Sequence, residues 1–198
     1  MKSGLKIGLI LVLWVVQGFA STYEIDPDHS NVTFKIRHLI GKVQGRFDKF
    51  NGTIEYDSKK PESWKVSATI DSATINTNNS KRDEHLRSKD FFDVVNPQKP
   101  EFKTIKFDSK KVTDIKNNKV KLHGDLMIHG VTKPVVLELE ILGEGTDPWG
   151  NKKAAFSAST TVNRKDYGLT WNKALEAGGV LVGEEVEISL EIESQLKK

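Results

Sequence analysis

The chain has 198 residues, no cysteine, and 30 Lys and Arg against 27 Asp and Glu. That length suits a single domain with a sizeable core, and the lack of cysteine excludes disulfides, thiol catalysis and a thiol-linked lipid anchor. The near-even charge, scattered along the chain, gives no reason to expect a nucleic-acid partner.

Met1 to Ala20 read as separate from the fold. Lys2 and Lys6 supply a positive start, Ile7 to Val16 an apolar run broken only by Gly8, and Gly18-Phe19-Ala20 a peptidase-type ending. This is the pattern of a signal peptide at residues 1–20, cleaved near Ala20, with 21–198 as the exported domain. An uncleaved anchor is the alternative, but the apolar run is shorter than the roughly twenty residues that span a bilayer. Removing Lys2 and Lys6 leaves 28 basic residues against 27 acidic.

Val32, Phe34 and Ile36 alternate with Thr33, Lys35 and Arg37, which predicts a strand with one wet face. His38 shares the register of Phe34 and Ile36 and is expected to point inward. Gly41, Gly45 and Gly52 predict bends or bulges, and Phe50, Ile54 and Tyr56 share a face. Asp57 to Ser63, with Pro61, reads as a turn. Trp64, Val66, Ala68 and Ile70 then alternate with Lys65, Ser67, Thr69 and Asp71.

The stretch Asn79 to Asp93 is the one convincing helix candidate after the N-terminus. Ser80 is expected to cap it, Asp83 and Glu84 suit the first turn, and Asp83 and Arg87 are spaced to pair. Leu86, Phe91 and Phe92 would cover an apolar surface, as a lid on a β-structure or as packing against its outside.

Pro97 and Pro100 make Val94 to Pro100 a connection, not a central strand. Strands are predicted around Ile105 and Phe107, along Val120 to Ile128, along Val135 to Ile141, along Phe156 to Val162 and along Val186 to Ile192. His123 and His129 are assigned to the face opposite Leu122 and Leu126. Gly143 to Lys153 reads as a loop, and Leu169 to Val182 resists assignment.

About eight strands, nearly all with one oily and one charged face, make an all-β protein: two packed sheets or one closed sheet. Ala68, Gly124 and Ala158 interrupt the bulky inward faces. They leave space for a ligand, or they accommodate the aromatics.

Chemistry is sparse. His29, His38, His85, His123 and His129 form no helical zinc motif. No Gly-x-Ser-x-Gly elbow or phosphate-cradling glycine loop is present. Most acids fall on wet faces. No metal site or catalytic residue is assigned.

Several runs carry a resemblance. They are Phe34-Lys35-Ile36-Arg37-His38-Leu39 with Gly45-Arg46-Phe47, and Arg82-Asp83-Glu84-His85-Leu86-Arg87-Ser88-Lys89-Asp90-Phe91-Phe92. Further on come Gly124-Asp125-Leu126, His129-Gly130-Val131-Thr132-Lys133-Pro134-Val135, Asp147-Pro148-Trp149-Gly150 and Asn163-Arg164-Lys165-Asp166-Tyr167-Gly168-Leu169. In this order, over essentially all of 21–198, they resemble the YceI-like family of exported bacterial proteins. The connection from Val94 to Thr104, with two prolines, departs from the family pattern.

The resemblance implies a single antiparallel, roughly eight-stranded lipocalin-like barrel with one short helix inserted between strands. It implies a non-enzymatic periplasmic protein that holds a long polyisoprenoid, of polyprenyl or isoprenoid-quinone type, for transport or storage. Another amphiphile such as a fatty acid or fatty amide is the alternative cargo, and an enzyme acting on such a lipid the alternative class. No cofactor beyond the bound lipid is expected. A monomer or dimer making transient membrane contact fits this reading.

On that basis Phe34, Ile36, Val66, Ala68, Leu126, Ile128, Phe156 and Ala158 are expected to line the tube. Leu86, Phe91 and Phe92 are expected to close one end or side. His38 and Arg164 are candidates for a polar ligand group. The alternatives are a filled core for the apolar set and backbone-bonded burial for His38 and Arg164.

Overall fold

A computed structural model describes residues 21–176 and 178–198, so the expected signal peptide lies outside the described residues. The period-two runs form β1 (Ser21–Ile25), β2 (Asn31–His38), β3 (Gly41–Phe47), β4 (Phe50–Tyr56), β5 (Lys65–Asp71) and β6 (Ile75–Asn76). The one α-helix among the described residues, α1 (Ser80–Arg87), follows. The chain ends with β7 (Thr104–Lys116), β8 (Lys119–Ile128), β9 (Val131–Thr146), β10 (Lys152–Asn163) and β11 (Val182–Leu196).

The sheet closes on itself. One edge of β11 pairs with β10; the other meets β1 near its end (Ile25 opposite Ser194) and β2 further back (Phe34 opposite Ile188). β1 and β2 therefore occupy one strand position, bent at the Asp26–Ser30 turn. β3 with β4 and β5 with β6 are paired to match, each again one position in two pieces. The result is a closed antiparallel barrel of eight strand positions with one short helix. Closure leaves no long unpaired edge.

Two of the three kinks have a local cause in a carboxylate side chain. Asp26 Oδ1 accepts the Asp28 N–H and Oδ2 accepts from Lys153 Nζ at 2.8 Å, which fixes the first turn. Asp71 accepts the Ala73 N–H at 3.0 Å and starts a 3-10 turn over Ser72–Thr74 between β5 and β6. Gly45 and Gly52 sit within β3 and β4 and not at bulges. The register shifts instead fall at Ser109/Lys111, Thr113/Lys116, Ala155/Phe156 and Val182/Val186.

The helix is shorter than expected, and its cap is Asn79, whose side chain accepts the Arg82 N–H at 3.1 Å. Ser80 is the first helical residue instead. Asp83 does not pair with Arg87. It is buried and accepts the Thr77 N–H at 2.9 Å and the Thr77 hydroxyl, while Arg87 donates to the Ile75 carbonyl at 3.3 Å. A buried carboxylate takes the nearer donors, which tie α1 to the strand before it. The helix ends where Ser88 turns extended and its hydroxyl donates to the His85 carbonyl. Phe91 and Phe92 follow in turns, both buried.

β9 and β10 run further than expected, leaving only 147–151 as the loop, with Asp147 bonded to Trp149 and Asn151. His129 is not on a strand face. It and Gly130 are the two left-handed residues (φ 51° and 74°) of the β8–β9 turn, with the imidazole stacked on Phe102 at 3.7 Å. Both residues at positive φ mark the primed turn that matches strand twist.

Candidate functional site: a blind apolar cavity

The inward residues of the barrel do not meet in the middle. They surround a cavity of about 360 Å³. Phe34, Ile36, Val66, Ala68, Val186, Ile188 and Leu190 face inward yet are only half-buried, because they border empty space. Such a shape, apolar with few polar groups, is typical of a small-molecule site.

One end is sealed. Tyr56 packs on Trp64 at 4.7 Å and on Phe156 at 5.2 Å, with Tyr23 at 6.0 Å from Tyr56. All four rings are buried. The Trp64 indole donates to the Asp57 carbonyl at 2.7 Å, so even its polar atom is satisfied. Burial pushes the Tyr23 and Tyr56 hydroxyls up from their usual range, and the nearby Glu144 adds to this.

The other end is lined by His38, Val43, Leu86, Trp171, Leu181 and Val182, all half-buried. Here α1 and the chain from Phe91 to Val94 fold over the barrel. Phe92 meets Phe47 edge-on at 6.1 Å. Phe91, Trp171 and His85 form a second cluster, with His85 edge-on to both rings and bonded to Asp90 at 2.9 Å.

Every residue expected to line or close the tube borders this cavity: Phe34, Ile36, Val66, Ala68, Leu126, Ile128, Phe156, Ala158, Leu86, Phe91 and Phe92. His38 and Arg164 border it too. Arg164 is only 4% exposed; its guanidinium donates to the carbonyls of Gly183 (2.8 Å), Leu169 and Val182. Burial lowers its pKa, and the nearby Glu184 carboxylate offsets this only in part. These bonds pin the irregular segment between β10 and β11 over the cavity.

Small inward residues do not all leave space. A Cβ on Gly124 would lie 2.5 Å from the Phe107 ring, so that glycine is covered by an aromatic. Phe34 covers Gly45 in the same way. Ala68 and Ala158 do border the cavity.

Among the described residues the lining contains no Asp or Glu. Its ionisable side chains other than Tyr167 are His38, Arg82, His85 and Arg164, all at the helix end. Arg82 and His85 were not anticipated, although both lie in the helix run. Trp171 was hidden in a stretch without periodicity.

Elsewhere among the described residues, Asp26, His29 and Glu193 bring ligand atoms together as a metal site would. Lys153 Nζ already lies 2.8 Å from Asp26 and 3.2 Å from Glu193, so an ammonium holds that position.

A family model described as the YceI-like domain matches residues 23–194. The chain belongs to the YceI-like family. It is 35% identical over 172 residues to a UPF0312 protein of Vibrio cholerae, covering 85% of this chain and 88% of that one. Among solved structures it is similar to the YCEI protein of Campylobacter jejuni, with TM-score 0.68 and 32% identity over 82% of this chain and 90% of the other. It also shares a fold with a polyisoprenoid binding domain from Saccharophagus degradans, at TM-score 0.66, 15% identity, and 91% and 100% coverage. In this YceI-like barrel the quoted runs fall at demanding places: the His129-Gly130 turn, the Arg164 clamp and the Phe91-Phe92 cover.

Proposed function

We propose that this protein carries a long-chain isoprenoid lipid, with its tail in the barrel, through the compartment to which its leader exports it. It binds the lipid without transforming it. The observation that carries this reading is the blind apolar cavity, whose lining among the described residues contains no carboxylate. The Saccharophagus degradans domain, described as polyisoprenoid-binding, points the same way.

The energetics favour a tail over a compact ligand. Each buried CH₂-sized group contributes about 0.8 kcal/mol, so affinity grows with every prenyl unit and needs no directed bond. The polar groups at the helix end set which way the ligand lies. His38 and Arg164, which border the cavity at that end, would meet the last polar atoms of a tail-first ligand, and the sealed floor accepts only hydrocarbon.

Mass spectrometry of organic extract from gently purified protein tests this directly. A polyprenyl or isoprenoid-quinone species at near one per chain is expected; a fatty acid or fatty amide in its place moves the cargo to another amphiphile, and no lipid at all rejects the carrier. Filling the tube gives a second test. Ala158→Trp should cut bound lipid by about tenfold or more, because overpacking closes the volume, with the far-UV spectrum unchanged. Undiminished lipid in that variant would place the ligand elsewhere.

A further inference from the structure

The β2–β3 turn breaks the rule that the other tight turns follow. Asn117 begins the β7–β8 turn and His129-Gly130 make the β8–β9 turn, residues that tolerate positive φ. The two residues between β2 and β3 are Leu39 and Ile40, with Leu39 held at φ 52°. A branched apolar side chain there is unfavourable for the turn. Packing does not compensate, since Leu39 is 45% exposed and Ile40 99%.

The tip stands at the end of the cavity opposite the aromatic floor. His38, Val43, Leu181 and Val182, beside it in the sheet and the adjoining loop, border the cavity, and the Leu39 N–H donates to the Leu181 carbonyl at 2.9 Å. Val180, next in that loop, is 47% exposed. Exposed and cavity-facing apolar residues therefore adjoin one another around the mouth. Cations flank them. The Arg37 Nε donates to the Leu39 carbonyl at 3.0 Å, and the Leu181 N–H donates to the Lys173 carbonyl. Among the described residues neither Arg37 nor Lys173 has a carboxylate partner; Glu184 and Glu187 are held by Lys165 and Lys42, while Glu176 and Glu185 also stand without a cation partner.

We propose that the Leu39–Ile40 tip, with Val180 beside it, docks on an anionic phospholipid bilayer and sets the cavity mouth against it. Apolar residues enter the interface while Arg37 and Lys173 remain at the head groups. Two weak signals of this kind together give reversible membrane binding. The purpose of the contact rests on the carrier reading, but the contact itself does not require cargo.

The test is co-sedimentation of lipid-stripped protein with phosphatidylcholine vesicles, with and without added phosphatidylglycerol. Binding is expected with phosphatidylglycerol, and it should weaken as salt rises. Ile40→Asp should lower the bound fraction about tenfold at unchanged Tm, and Arg37→Gln should reduce the dependence on phosphatidylglycerol. Wild-type protein that stays in the supernatant with both vesicles, or Ile40→Asp protein that binds as well as wild type, overturns the proposal. So does a wild-type dimer that Ile40→Asp converts to a monomer in sedimentation velocity without a change in vesicle binding, because the tip then serves a second copy. Lipid in the organic extract of Ile40→Asp protein keeps the carrier reading independent. Vesicle binding by protein that never carries lipid sustains the docking and rejects the carrier.

Discussion

Two residues, Asp26 and His129, contribute to how the fold answers to acid in separate pH windows. Asp26 is held down to about 2, chiefly by the hydrogen bond from Lys153 and further by His29. A carboxyl with a depressed folded pKa stabilises fully above its unfolded value near 4, and loses that contribution as pH falls towards 2. Asp26→Asn should therefore cost about 1–2 kcal/mol at neutral pH, and urea titrations should show wild type and variant converging near pH 2. His129 acts in a higher window. Burial lowers its pKa, and its buried Nε2 has no partner, so the fold favours the neutral ring. Its contribution is whole above the unfolded value of about 6.5 and erodes as pH drops below it. Asn tolerates the left-handed backbone at that position, so His129→Asn should flatten the stability profile between neutral pH and pH 5.

At the scale of elements, the short helix shows both the reach and the limit of sequence patterning. Its place between strands was legible, and so were Leu86, Phe91 and Phe92 as covering groups. Its end was not, because Ser88 stops it through a side-chain bond to the His85 carbonyl that no periodicity announces. The Asp83–Arg87 spacing suggested an ion pair, but burial directed Asp83 to Thr77. Asp83 is thus the bolt that holds α1 to β6. Asp83→Ala strands the Thr77 donors and should destabilise by about 1–3 kcal/mol, while speeding lipid loss in a dilution-release assay. Asn79→Ala removes only the cap and should cost about 1 kcal/mol. The strand faces were readable from period two alone. The three strand positions broken in two were not, since a break at Asp26, Asp48 or Ser72 looks the same as an ordinary turn until both halves are seen beside one neighbour.

For the whole molecule, alternation left open whether the oily faces met each other or surrounded space. The answer turned on long-range pairing: β11 meets both β10 and the β1–β2 position, which closes the ring. Gly124 shows why residue size could not decide it, since Phe107 fills that gap while Ala68 borders an open one. An empty interior forgoes packing, so the lipid-free protein should melt at lower temperature than the loaded one, and Ala68→Leu should narrow that difference. Scanning calorimetry of both forms measures it. The aromatic floor of Tyr23, Tyr56, Trp64 and Phe156 has a further consequence for traffic. A cul-de-sac cannot be threaded: whatever goes in foremost comes out hindmost, by the same doorway. A carrier of the kind proposed would have to turn round between donor and acceptor, and two stacked end to end would make no pipeline.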